Sequence, residues 1–179
     1  LNSQLLLMIL ESATGMDYVD YASTRLWQPL DAADAYVWGY TGKSPMPRAH
    51  MSLLAPARDW LKIGLLLKNY GRYGETQVIP RDLVEEATTS SNANPNYGWQ
   101  LWLGEVYEKA RYYNEEKTGS SVPMSAPFDV DDMVYFDGFG GQRVYISRKE
   151  DLVIVRQGDM RPDWDEAALP NLVLKAAGQ

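Results

Sequence analysis

Met133 to Val155 reads MVYFDGFGGQRVYISRKEDLVIV. Two apolar runs, Met133–Phe136 and Val144–Ser147, flank a segment holding Gly138, Gly140 and Gly141. A third run, Leu152–Val155, follows the polar Arg148–Glu150. Runs of this length and composition are strands, and a short polar connection predicts antiparallel pairing. Leu152–Val155 shows no alternation, which predicts a central strand covered on both faces. Glycine inside a strand pattern marks a bulge or a close approach of backbone to a ligand. A strand of that kind offers a free N–H to a developing oxyanion. The competing reading is a tight glycine-rich hairpin without function, and spacing alone slightly favours it.

Working outward, Tyr97–Leu103 carries Tyr, Trp and Leu and predicts a further strand. Glu105–Ser125 is polar and mixed, an excursion between strands. Downstream, Asp163 and Glu166 form a D-x-x-E capping box for a terminal helix that Pro170 kinks or restarts. Upstream the chain is helical. Leu5–Leu10 is apolar on every helical face, so the first helix is expected to be buried, ending at Thr14-Gly15. A second helix is expected over Asp17–Trp27, stopping before Pro29. Leu30–Met51, punctuated by Gly39, Gly42, Pro45 and Pro47, reads as a long loop. Pro56–Tyr70 predicts a helix capped by Gly71, Arg81–Ala87 a short one after Pro80, and Ser90–Asn96 a polar loop. Helices over about 1–96, then an antiparallel sheet with a closing helix over about 97–179, make an α+β fold.

Composition narrows the function classes. The chain has 179 residues, enough for one domain with a sizeable core. Seventeen basic and 24 acidic residues leave a net charge of −7, which argues against a nucleic-acid partner. The longest aliphatic run, Leu5–Leu10, is far short of the ~20 residues of a membrane span. Without cysteine there are no thiolate nucleophiles, disulfides or zinc-thiolate sites, and a single histidine, His50, excludes a His-cluster metal site. No metal or other cofactor is expected. The chain begins with Leu1, inside an apolar segment, and reads as a piece of something longer.

Few motifs stand above background. Lys117-Thr118-Gly119-Ser120 is a literal K-T-G string, but no apolar strand flanks it, so it reads as a decoy. His50 could serve as a general base; a lone histidine is more often a loop or packing residue. Arg58-Asp59 fits capping and an ion pair. No pair among the 24 carboxylates is singled out as a catalytic dyad. Tyr97, Trp99 and Trp102 could line a cleft.

Taken in order, the segments resemble the C-terminal half of the serine β-lactamase-like hydrolases: class C β-lactamases, D-Ala-D-Ala peptidases and related esterases and amidases. Asn2–Glu11 with Thr14-Gly15 looks like the helix after the family's Tyr-x-Asn motif. Tyr21–Pro29 resembles the next helix, and Ala57-Arg58-Asp59-Trp60 through Leu67 its A-R-D-W helix. Tyr97-Gly98-Trp99 resembles the start of a sheet strand. Gly138–Gln142 followed by Asp151–Val155 looks like the third-motif strand and its successor. The resemblance implies that Phe136-Asp137-Gly138 takes the K-T-G place. It also implies that the backbone N–H of Phe139 donates to the oxyanion, with Phe136, Asp137, Gly138, Gly140 and Gly141 against the substrate.

The family's Ser-x-x-Lys is absent, as each serine followed three places on makes clear. Its Tyr-x-Asn tyrosine would fall just before Leu1. The resemblance thus implies a β-lactamase/DD-peptidase-like domain incomplete at its N-terminus. Its partners are a small ester or amide substrate and a missing N-terminal segment carrying Ser-x-x-Lys. The parent would act through an acyl-enzyme, which this chain alone would not form. Phe136 replaces the cation that holds a β-lactam or peptide carboxylate, and Asp137 adds repulsion if it faces the cleft. An esterase or amidase therefore ranks above a β-lactamase, unless Arg143 or Arg48 supplies the charge. The alternative is a non-catalytic pseudoenzyme or glycan/peptide-binding module. Export to the periplasm or medium is slightly favoured, because relatives are often exported.

Overall fold

The computed structural model describes residues 2–41, 46–51 and 53–178. Leu1, Gly42 and Pro45, read above as a break and as loop punctuation, lie outside them. Helix α1 (Asn2–Thr14) ends as expected at Gly15, whose φ of 66° is the left-handed conformation that glycine adopts freely. Its burial differs from expectation. Leu7 is buried, whereas Leu5, Leu6, Met8 and Ile9 are about half exposed or more. The described chain covers one stripe of a helix whose Leu5–Leu10 segment is apolar on every face, and leaves the rest of that segment open. Gln4 ties that stripe to the next segment, donating to the Pro47 carbonyl at 2.9 Å and accepting from the Ala49 N–H at 3.2 Å.

Helix α2 (Tyr18–Ala22) runs on through a π turn, Ser23–Trp27, and a 3-10 turn, Gln28–Leu30, so Pro29 sits in a tightened last turn rather than beyond the end. The expected long loop contains two small antiparallel ladders. Strand β1 (Tyr36–Val37) pairs with β4 (Leu53–Leu54), and β2 (Gly39–Tyr40) pairs with β3 (Met46–Pro47). Helix α3 (Ala57–Lys68) matches its prediction. Gly71, at φ 81°, donates to the Leu66 carbonyl at 2.8 Å and closes the helix end. A hairpin of β5 (Arg72–Tyr73) and β6 (Thr76–Gln77) leads to α4 (Arg81–Ala87).

The second half builds the sheet. Only Trp102–Leu103 of the expected first strand is extended, as β7. Gln100 at φ 59° turns Tyr97–Trp102 into a tight loop whose Gly98 lies directly on the Ala87 carbonyl, where a Cβ would come within 2.2 Å. The polar excursion is a hairpin, β8 (Ala110–Tyr112) with β9 (Ser121–Pro123). Strands β10 (Val134–Gly138), β11 (Gln142–Ser147) and β12 (Leu152–Arg156) follow, all antiparallel, in the order β12-β11-β10-β7. The chain closes with α5 (Ala168–Ala177).

Two expectations change here. Strand β12 is the edge of this sheet, not its centre. It lacks alternation because Val153 and Val155 pack toward α3 while Ile154 packs toward the other face, so both faces are covered though one edge has no strand partner among the described residues. The D-x-x-E box does not cap α5, whose flanking residue is Ala167. Asp163 instead pairs with Arg161 at 3.0 Å, and Glu166 turns inward and is wholly buried. Pro170 lies in the first turn, where a missing N–H breaks no helical bond.

The result is three layers. One face of the sheet packs Val134, Val144 and Ile146 against Leu67 and Val84 of the α3–α4 side. The other packs Tyr135 and Tyr145 against Met124, Phe128 and Ala167 beside α5. Gly64 of α3 lets helix and sheet touch: a Cβ there would lie 2.4 Å from Val153 Cγ1 and 3.0 Å from Val144 Cγ1.

Candidate functional site

Strands β10 and β11 meet with Gly138 opposite Gln142, leaving Phe139-Gly140-Gly141 as the turn. Gly140 at φ 75° and Gly141 at φ 85° hold a conformation that any Cβ would strain. On its other side β10 pairs with β7 only at Val134 and Tyr135. From Phe136 to Gly138 that edge has no strand partner among the described residues. Such a free edge can pair with an extended ligand through backbone groups.

This edge borders a cavity of about 740 Å³. Phe136, Asp137, Gly138 and Phe139 form one wall, with Tyr97 and Trp102, Trp60 and Leu54, and Arg48 and His50 around the rest. Three of the five expected substrate contacts, Phe136, Asp137 and Gly138, thus lie together with the expected oxyanion donor Phe139. Gly140 and Gly141 are not among the lining residues; they rest against Met160 and Trp164. The Phe139 side chain is 82% exposed. His50 stacks on Tyr40, over which the Arg48 guanidinium lies at 4.7 Å. Among the described residues no carboxylate lies within 4 Å of Arg48, and its buried Nε has no hydrogen-bond partner. Of the expected aromatic lining, Tyr97 and Trp102 face the cavity and meet edge-to-face at 4.8 Å. Trp99 does not line it and is half exposed. Burial raises the phenol pKa values of Tyr18 and Tyr97, so both stay neutral hydroxyls at ordinary pH. Lys117-Thr118-Gly119 lies in the β8–β9 turn, where Lys117 pairs with Glu108 at 2.9 Å.

Sequence reasoning missed the charged cluster behind this wall. Alternation turns the Asp137 carboxylate to the α5 side of the sheet, where it is 7% exposed. Its Oδ2 accepts from Arg111 Nη2 at 2.6 Å, and its Oδ1 forms an ion pair with Arg143 Nη1 at 2.6 Å. Glu166 closes the ring, with Oε2 2.8 Å from Arg111 Nη2 and Oε1 2.7 Å from Arg143 Nε. Two cations and two anions alternate, so the ring carries no net charge. The Asp137 carboxylate therefore presents no unpaired charge, and Arg143, 2% exposed, is committed to the ring. Tyr113 adds a 2.7 Å hydrogen bond to Asp137, and Tyr145 one of 3.1 Å to Glu166. Arg111 lies over the Trp102 ring at 4.0 Å. Burial and then the Glu166 charge push the phenols of Tyr135 and Tyr145 far above the ordinary tyrosine range. The available signal was a charged residue within each of two apolar strands, Asp137 and Arg143. Nothing in the sequence pointed to Arg111 or Glu166 as their partners.

Comparison with known families and with curated proteins finds no match. Solved structures do match. One is named as a 6-aminohexanoate-dimer hydrolase of Bacillus anthracis, with TM-score 0.67, 22% identity, and coverage of 98% of this chain and 41% of that one. Another is named as a β-lactamase of Bacteroides dorei, with TM-score 0.66, 14% identity, and coverage of 97% and 55%. The chain has an α+β, partial β-lactamase-like fold, with an antiparallel sheet and flanking helices. It spans about half the length of the structures it matches.

Proposed function

We propose that this chain is the C-terminal portion of a serine hydrolase that acts on esters or amides through an acyl-enzyme. The observation that carries the reading is the unpaired β10 edge from Phe136 to Gly138 along the wall of the 740 Å³ cavity. The N–H of Phe139, just past that edge, is the proposed oxyanion donor, and a positioned donor of this kind contributes about 10²–10³ in rate. The nucleophilic serine and its lysine belong to a segment outside this sequence, since no lysine among the described residues lines the cavity and no Ser-x-x-Lys occurs. The same segment would cover Leu5, Leu6, Met8 and Ile9 on α1. In two matched structures the chain accounts for 41% and 55% of the length, which leaves room for it.

Substrate preference follows from the wall. Phe136 presents an apolar ring where a carboxylate-binding cation would stand, and Asp137 and Arg143 neutralise one another behind it. Leu54, Trp60, Tyr97 and Trp102 favour an apolar acyl or alcohol group. An ester or a non-peptidoglycan amide therefore fits better than a β-lactam. Among the described residues Arg48 is the cation left on the cavity side for a substrate with a distal anionic group.

The test is intact mass of the full-length protein after exposure to a fluorophosphonate. A single covalent adduct on a serine upstream of Leu1 is expected. Absence of labelling would favour a binding module that holds a glycan or peptide on the same aromatic wall. Efficient turnover of a chromogenic cephalosporin would overturn the substrate assignment alone.

A further inference from the structure

We infer that Arg143 is a positioning residue that sets the direction of the Phe139 N–H, and that Glu166 and Arg111 hold Arg143 in place for it. The inference deepens the reading above and rests on it for its catalytic meaning. All described peptide bonds are trans, and in a trans peptide the C=O and N–H point in opposite directions. The N–H of Phe139 shares its peptide plane with the carbonyl of Gly138. Arg143 Nη1 donates to that carbonyl at 3.1 Å and to the Gln142 carbonyl at 2.9 Å. Holding the Gly138 oxygen toward β11 and the buried ring turns the Phe139 N–H to the opposite side. Gly138 and Phe139 both line the cavity there.

Glycine makes such a device necessary. Gly138 has no side chain to bias the plane, and the turn beyond it contains Gly140 and Gly141. Left to itself, a peptide between such residues flips readily. A second clamp holds the turn: the Gly140 carbonyl accepts from Arg156 Nη1 at 3.2 Å and from the Arg161 N–H at 3.1 Å. Arg143 can aim Nη1 only because its own plane is fixed. Glu166 accepts from Nε at 2.7 Å and from Nη2 at 3.3 Å, and the Asp137 carboxylate adds a charge contact 2.6 Å from Nη1. Arg111 in turn holds both carboxylates, so each arginine is oriented by the pair of acids the other orients. A guanidinium on the Gly138 oxygen also polarises the amide, which makes the Phe139 N–H a stronger donor.

The test compares wild type with Arg143→Lys, which keeps the charge and loses the planar fork. In full-length protein, fluorophosphonate labelling is resolved into a binding constant and an inactivation rate. Backbone orientation at Gly138–Phe139 is read by crystallography of the same protein. Expected are a rotated or disordered Gly138–Phe139 peptide, an inactivation rate at least tenfold lower and a binding constant within twofold of wild type. Glu166→Gln, which keeps the shape, gives a smaller fall in the same rate and stands in if Arg143→Lys does not fold. A peptide that keeps its orientation in Arg143→Lys, or in Glu166→Gln should the lysine variant not fold, overturns the inference. So does an unchanged inactivation rate. If wild type does not label but the peptide still turns in Arg143→Lys, the positioning role stands and the hydrolase reading falls.

Discussion

Helix α1 and strand β11 are both rich in aliphatic side chains, but only Leu7 is buried among the thirteen residues of α1, whereas every residue from Arg143 to Ser147 is buried. Strand β11 has partners on all sides: β10 and β12 along its edges, α3 on one face and the Phe128–Ala167 cluster on the other. Among the described residues, helix α1 touches little beyond α2 and the Gln4-bound loop. The difference separates what this chain stabilises by itself from what it presents to something else. An exposed Leu or Ile forgoes roughly 1.5–3 kcal/mol relative to a buried one. In the reading proposed above, the remainder of the fold covers that side.

The sharpest way to break the comparison is to remove Glu166, the wholly buried carboxylate behind the centre of the sheet. Glu166→Ala leaves Arg111 and Arg143 facing each other with one acid between them, and breaking a buried ion pair costs about 3–5 kcal/mol. Urea unfolding followed by tryptophan fluorescence should show that loss. A change under 1 kcal/mol would mean that water reaches the ring.

Alkaline pH tests the same region. Tyr135 and Tyr145 have folded pKa values raised above 10.0, first by burial and then by the Glu166 charge. The neutral phenol is favoured in the folded state, so the stabilisation is fully present below the unfolded pKa of ~10 and is lost as pH rises past it. With two such groups, stability should fall by up to about 3 kcal/mol per pH unit above that point. Absorbance at 295 nm should show two tyrosines ionising only as the protein unfolds. Smooth titration of all twelve in the folded protein would contradict the burial.

Much of the sheet half was legible because its signals are local. Apolar runs marked β10, β11 and β12 and the glycine cluster marked the turn; in the helical half Gly71 marked the end of α3. The ring was illegible because its members lie far apart in sequence: Arg111 bonds Asp137 across 26 residues and Glu166 across 55. The same long-range pull explains the misread capping box, since two arginines and Tyr145 draw Glu166 inward where a local pattern would place it on the helix end. The open edge at Phe136–Gly138 was half visible. Glycines announced a close backbone approach, but only the shortness of β7 leaves that edge unpaired. The exposure of α1 was the inverse failure: apolar residues on every face suit a helix to burial but do not say that this chain buries it.

A smaller effect sharpens the helix–sheet contact. Gly64→Ala forces a methyl against Val153 and Val144, and overpacking of this kind costs about 1–3 kcal/mol. Helix propensity offsets up to ~1 kcal/mol of that. Thermal unfolding should therefore shift down by a few degrees, and a variant more stable than wild type would show that α3 can stand off from the sheet.

The smallest effects belong to α1, where they are also the most informative. Leu6→Gln and Ile9→Gln alter side chains that the described chain leaves more than half exposed. Each should change the stability of the chain by no more than about 0.5 kcal/mol, the range for surface positions. Leu7→Ala on the same helix empties a buried site and should cost roughly 2–3 kcal/mol. A cost above 1 kcal/mol at Ile9, with sedimentation showing a dimer, would mean that copies of the chain cover one another. In full-length protein the difference should disappear. There Leu6→Gln and Ile9→Gln should each cost as much as Leu7→Ala, because a face that is open in the chain alone would be core in the whole fold.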